Sequence, residues 1–215
     1  RGDPPLVSLA ESTTVPESVR DDYEGSAVTA VVPPELDALF VVAPLVYYLG
    51  ADVRLDETAT PHLDADGYRV ELGPERAFER EVASWLRRVF LLDCLVRGAG
   101  PHGDPVALAD RLPELGIDPD HVYDLPMAER VRVYDRAPYE DVSSSLPEWN
   151  HAVYVDPTVE RVETLPYLLE TLPFVFRAEA TDFDKSEWLS ASLSDGYSVG
   201  TDPDEPVDPR ADDTL

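Results

Sequence analysis

Gly98-Ala99-Gly100-Pro101-His102-Gly103 has the spacing G-x-G-x-x-G. In that pattern, backbone N–H groups at a helix start cradle a dinucleotide pyrophosphate. The chemistry needs a strand before the first glycine and a helix opening among the three. Here the preceding residues carry a helical stripe instead, and Pro101 removes a backbone donor from the loop. The glycines therefore read as the end of one helix (Gly98, Gly100) and the approach to the next (Gly103), and no cofactor is assigned. Cys94 and His102 form the candidate nucleophile pair, with Asp93 or Asp104 to orient the imidazole. A reactive thiolate needs a neighbouring imidazolium or a helix N-terminus. Cys94 lies near a helix C-terminus, flanked by Leu91, Leu92, Leu95 and Val96, so a buried, inert thiol is expected.

Other chemistry-bearing residues are sparser. His62, His102, His121 and His151 show no H-x-x-x-H spacing, and no metal site is assigned. Asp64-Ala65-Asp66-Gly67 lacks the third acid and the closing glutamate of a calcium loop, and reads as a hairpin turn. Ser143, Ser144 and Ser145 have no flanking elbow glycines. Tyr47, Tyr48 and Trp149 are candidates to line a pocket, but aromatics at such positions are expected in the core.

The elements that must position these residues follow from apolar periodicity. Residues 26–32, Val-rich and bounded by Gly25 and Pro33, predict a buried strand. Pro33-Pro34-Glu35 opens a helix over about 34–49, apolar on nearly every side, which Pro44 is expected to kink or split. Residues 53–56 predict a second strand, and 61–72 a hairpin turning at Asp66-Gly67. A helix over 75–97 carries Phe78, Val82, Trp85, Val89, Leu92 and Val96 on one face, with Glu79, Arg80, Arg87 and Arg88 off it. Residues 104–116 predict a shorter helix capped by Asp104. Residues 121–125 and 131–135 read as strands or loop, and 151–157 as a strand. Residues 158–176 read as helix broken at Pro166 and Pro173, two successive helix starts, with a final strand from Phe174. Residues 5–10 suggest a short strand. The expected fold class is α/β, a mixed sheet packed with the two central helices, with α+β as the alternative. The expected organisation is an N-terminal extension (1–25), one domain (26–180) and an acidic, disordered linker (181–215).

Composition excludes several functions. The chain has 215 residues and a formal net charge of −27. Lys185 is the only lysine, Asn150 the only asparagine and Ile117 the only isoleucine, which points to a GC-rich genome. Such charge repels itself in dilute buffer. At molar salt the Debye length is about 3 Å and the repulsion is screened. The acidity therefore reads as adaptation to a salt-filled cytoplasm. Nucleic-acid binding needs a basic patch, and none is found. A lone cysteine excludes a disulfide framework. The most apolar run, 38–51, is too short to span a bilayer as a helix. The chain opens on Arg1, which reads as an excised fragment, and Arg1-Gly2-Asp3 as an accident of the cut.

The stretches VAPLVYYLGADV (42–53), RVFLLDCLVRGAG (88–100) and LPEWNHAVYVDPTVERVETLPYLLETL (146–172) resemble segments of large haloarchaeal proteins. In those proteins a caspase-like (CHAT-type) domain lies further toward the C-terminus. The resemblance covers most of residues 26–178. It implies an upstream, non-catalytic domain whose partners are other domains of the same polypeptide. The caspase-like signature is a His-Gly followed later by an Ala-Cys, each after a strand. This chain has His102-Gly103, but its cysteine comes earlier and follows Asp93, so no catalytic residue carries over. The expected function is docking or regulation within a larger cytoplasmic protein, without membrane or nucleic acid. The alternative is a small-ligand or thiol-dependent domain using Cys94 to Gly103.

Overall fold

The computed structural model describes residues 25–99, 109–137 and 151–177, with scattered positions between 4 and 19. Val28–Val32, dense in β-branched residues, forms β1, buried along nearly its whole length. Helix α1 follows at Leu36–Leu49. It runs continuously through Pro44 instead of splitting there. A proline inside a helix costs about 3 kcal/mol. Full burial of Phe40, Val41, Leu45 and Leu49, at about 1.5–3 kcal/mol each, outweighs that. The helix ends at Gly50, whose φ of 61° is left-handed. Gly50 N–H bonds to Tyr47 O and Ala51 N–H to Val46 O. This pair of bonds satisfies two terminal carbonyls and turns the chain straight into β2, Asp52–Leu55.

Strands β3 (His62–Ala65) and β4 (Tyr68–Glu71) make the expected hairpin. Asp66 and Gly67 both have positive φ, 53° and 80°, as a two-residue hairpin turn of this twist requires. The sheet order is β2-β1-β3-β4, with β2 parallel to β1 and the other pairs antiparallel. The registers set Val28, Ala30, Val32, Leu63, Ala65 and Val70 on one face, all buried.

Helix α2, Glu75–Ala99, packs beside α1. The apolar stripe from Phe78 to Val96 is buried as expected. Glu79 and Arg88, expected off that face, are buried too, 2% and 8% exposed, because each finds a partner far away in sequence. Gly98 lies inside the last turn, and the helix reaches Ala99.

The segment after it differs from expectation. Within 104–116 the described part is a 3₁₀ turn, Ala109–Arg111, followed by tight turns to Gly116. Pro113 has no N–H to carry a regular helix forward. Residues 121–125 and 131–135 are not strands. Residues 121–123 belong to α3, Pro119–Tyr123, with 124 and 125 in the turn after it, and 131–135 belong to α4, Met127–Arg136. Ala128, Val131 and Tyr134, at three-residue steps, are the buried face of α4.

Strand β5, Ala152–Val155, and strand β6, Phe174–Arg177, pair in parallel through a 3₁₀ turn (Val159–Thr164) and α5 (Leu165–Thr171). Pro166 does open a helix, but Pro173 precedes a strand. Leu172 ends α5 at φ 48°, and Phe174 N–H bonds to His151 O, which commits the chain to β6. Val155 and Val175 pack on Phe40 of α1, with Leu36, Val162 and Leu165 around them. The fold is α/β, as expected: a mixed four-stranded sheet, a small parallel sheet, and the two long helices. Leu6, Val7 and Ser8 are exposed and outside any strand, and residues 181–215 lie outside the described residues.

Candidate functional site

Among the described residues, a group of ionisable side chains gathers around Asp93. It sits on the inner side of α2 and is fully buried. A buried carboxylate is costly unless donors surround it. Asp93 has four. Tyr48 of α1 donates its O–H to Oδ2 at 3.1 Å. Tyr134 of α4 donates to Oδ1 at 3.3 Å. Arg130 of α4 donates Nη1 to Oδ1 at 2.9 Å. Arg97, one turn further along α2, pairs with Oδ2. One anion thus holds three helices.

Arg130 is itself fixed. Its Nε donates to Leu125 O at 2.9 Å and Nη2 to Tyr123 O at 2.6 Å. The guanidinium therefore closes the α3–α4 turn as well as the ion pair. Burial, then the Asp93 charge, pushes the Tyr48 and Tyr134 phenols well above their ordinary value. Both stay neutral donors.

Two further clusters serve the same purpose. Glu79 of α2 accepts from the Arg177 guanidinium and, at 3.3 Å, from Arg177 N–H; Arg177 Nη1 also reaches Asp37 at 3.1 Å. The end of β6 is tied in this way to α1 and α2. Arg88 donates to Asp135 O at 3.0 Å and to Ala137 O, where a cation complements the negative end of α4.

Cys94 adjoins Asp93 in sequence but is exposed, against the expectation of burial. Residues 91, 92, 95 and 96 are buried along the helix, while Cys94 and Arg97 are exposed. Partial burial and the Asp93 charge raise the thiol, while Arg97 works against the rise. A raised thiol is a weak nucleophile at neutral pH. His102, Ser143, Ser144, Ser145 and Trp149 lie outside the described residues. Gly98 closes a helix, so the glycine spacing follows a helix and not a strand.

His62 is buried on β3 with Nδ1 2.7 Å from Thr60 O, while His121 and His151 are exposed. Among the described residues no three metal-ligating side chains cluster. Asp64 Oδ1 accepts Gly67 N–H at 2.7 Å, the bond of a hairpin turn. Tyr48 is in the core as expected, and Tyr47 is half-buried.

Arg130 and Tyr134 were not visible as partners of Asp93, because their segment alternates like a strand. The signal was the three-residue spacing of Ala128, Val131 and Tyr134 after Pro126. Among the described residues no helix is long and apolar enough to cross a membrane. Comparison of the chain with protein-family models, curated proteins and solved structures finds no match.

Proposed function

We propose that the chain is a non-catalytic docking or regulatory domain of a larger, halophilic, cytoplasmic protein, with other domains of the same polypeptide as partners. The haloarchaeal family with a C-terminal caspase-like (CHAT-type) domain is the proposed context. One observation carries the reading. Tyr154 on β5, Val159 in the 3₁₀ turn and Tyr167 on α5 are 57%, 55% and 67% exposed. Large apolar side chains left in solvent on the strand, the turn and the helix of one βαβ unit suit contact with a partner. Glu160, Glu163 and Glu170 are exposed on the same unit. Exposed carboxylates on the same unit suit a partner that presents basic side chains.

The Asp93 cluster supports the same reading, since its charges are used to fasten helices. Cys94 exposure favours the thiol-dependent alternative, but its raised thiol works against it. The test is a titration in about 2–3 M potassium chloride, where charges are screened beyond roughly 3 Å. The chain is titrated with the remainder of the polypeptide encoded in its reading frame. Saturable binding is expected, weakened about tenfold or more (~1.4 kcal/mol) by Tyr154→Ser with Tyr167→Ser. Absence of binding, or binding indifferent to both changes, overturns the proposal.

A further inference from the structure

Strand β2 is the edge of the main sheet, and all four of its residues are exposed. Val53 aligns with Ala30 and Leu55 with Val32, both fully buried. The apolar face of the sheet therefore continues onto β2, where it meets solvent: Val53 is 42% and Leu55 52% exposed. Asp56 N–H donates to Val32 O at 2.9 Å. Backbone groups alternate sides along a strand. Asp52 and Arg54 thus turn their N–H and C=O toward β1, and Val53 and Leu55 turn theirs to the outer edge. Among the described residues no strand pairs with that edge.

The sequence of this edge is complementary to itself. We propose that two copies of the chain associate by antiparallel pairing of β2 with β2, centred on Val53 opposite Val53, making one continuous eight-stranded sheet. In that register the two Val53 residues exchange both backbone hydrogen bonds. Asp52 then faces Arg54 of the other copy twice on the polar side, and Leu55 faces Ala51 twice on the apolar side. Opposite charges directly across a strand pair are stabilising. The neighbouring register, centred on Arg54, sets Arg54 against Arg54 and Asp52 against Asp56, and like charges reject it. A shift by a single residue would set one copy's apolar face against the other's polar face. A net charge of −27 per copy opposes approach in dilute salt, so association belongs to high salt.

Sedimentation equilibrium in about 2 M potassium chloride tests this. The mass is expected to rise with concentration from 23.8 kDa toward twice that value. Asp52→Arg alone and Arg54→Asp alone should each hold the chain at the monomer mass. The two together should restore association, because the charges are exchanged and still opposite. All the changed side chains are exposed, and circular dichroism confirms folding of each variant. A second measurement reads the register directly. In a Cys94→Ser background, Val53→Cys should crosslink two copies, since opposed residues lie about 5.5 Å apart. Leu55→Cys should not, because its counterpart is displaced four residues, about 14 Å. A mass fixed at 23.8 kDa up to millimolar concentration, or a double exchange that fails to restore what the single changes remove, overturns the proposal.

Discussion

Replacing Asp93 with asparagine removes the anion and little volume, so the effect isolates the charge. Four donors converge on that carboxylate. Their contributions differ with exposure. Arg97 is 57% exposed and can turn to water, so its share is under about 1 kcal/mol. Arg130 is only 17% exposed and is held by two backbone carbonyls, so its charge stays where it is, unpaired. Breaking a buried pair from one side costs about 3–5 kcal/mol. Total domain stability is about 5–15 kcal/mol. Asp93→Asn should therefore remove a large fraction of it and lower the melting temperature by on the order of 10 °C. The assay is urea unfolding in about 2 M potassium chloride for four proteins: wild type, Asp93→Asn, Arg130→Met and the double variant. The double variant should lose less than the sum of the singles, by about 1–3 kcal/mol, because no unpaired charge remains. A loss below about 1 kcal/mol in Asp93→Asn, or strict additivity in the cycle, would refute the view that this cluster fastens the helices.

Alkaline pH should act through the same cluster. Burial and Asp93 raise the folded-state titration of Tyr48 and Tyr134 above the ordinary phenol value of 10.0. The stability they contribute is complete below pH 10.0 and lost as pH rises beyond it. The Tyr48→Phe, Tyr134→Phe variant should show a shallower decline above that pH, measured by urea midpoints. Gly73 has φ 72°, and a Cβ there would stand 3.1 Å from the Ala77 Cβ at the start of α2. Gly73→Ala should cost about 1–3 kcal/mol by the same unfolding assay, and a neutral result would contradict the strain argument. Phe40 is 1% exposed and joins α1 to the small parallel sheet, so Phe40→Ala should cost about 3–5 kcal/mol. Cys94 should react with iodoacetamide without unfolding, but more slowly than a free cysteine at the same pH; a rate above the free thiol would revive the catalytic reading.

The elements that the sequence revealed are those whose signal is local. Val28–Val32, the Asp66-Gly67 turn and the stripe along α2 each state their structure within a dozen residues. Helix α4 did not, because Val131-Arg132-Val133-Tyr134 alternates apolar and polar residues as a strand would. Its helical face shows only when Ala128 is counted with Val131 and Tyr134, and what settles it is Asp93 on another helix. Glu79 and Arg88 looked like solvent residues for a similar reason. Their partners, Arg177 and the Ala137 carbonyl, are 98 and 49 residues away, and long-range polar pairing leaves no periodicity. Cys94 misled in the opposite direction. Apolar neighbours at 91, 92, 95 and 96 surround it in sequence, yet helical rotation leaves it exposed. Of the candidate pair Cys94 and His102, only the cysteine lies within the described residues. The cluster around Asp93 contained one residue the sequence had singled out as an orienting acid, in a different role.

Hydrogen exchange tests the docking proposal most directly. The chain is followed alone and with the remainder of its polypeptide, both in about 2–3 M potassium chloride. The account predicts added protection concentrated in Ala152–Val155 and Leu165–Thr171, where Tyr154 and Tyr167 stand in solvent, with the Asp93 helices unchanged. Identical exchange in the two samples, or protection confined to the neighbourhood of Cys94, would contradict it.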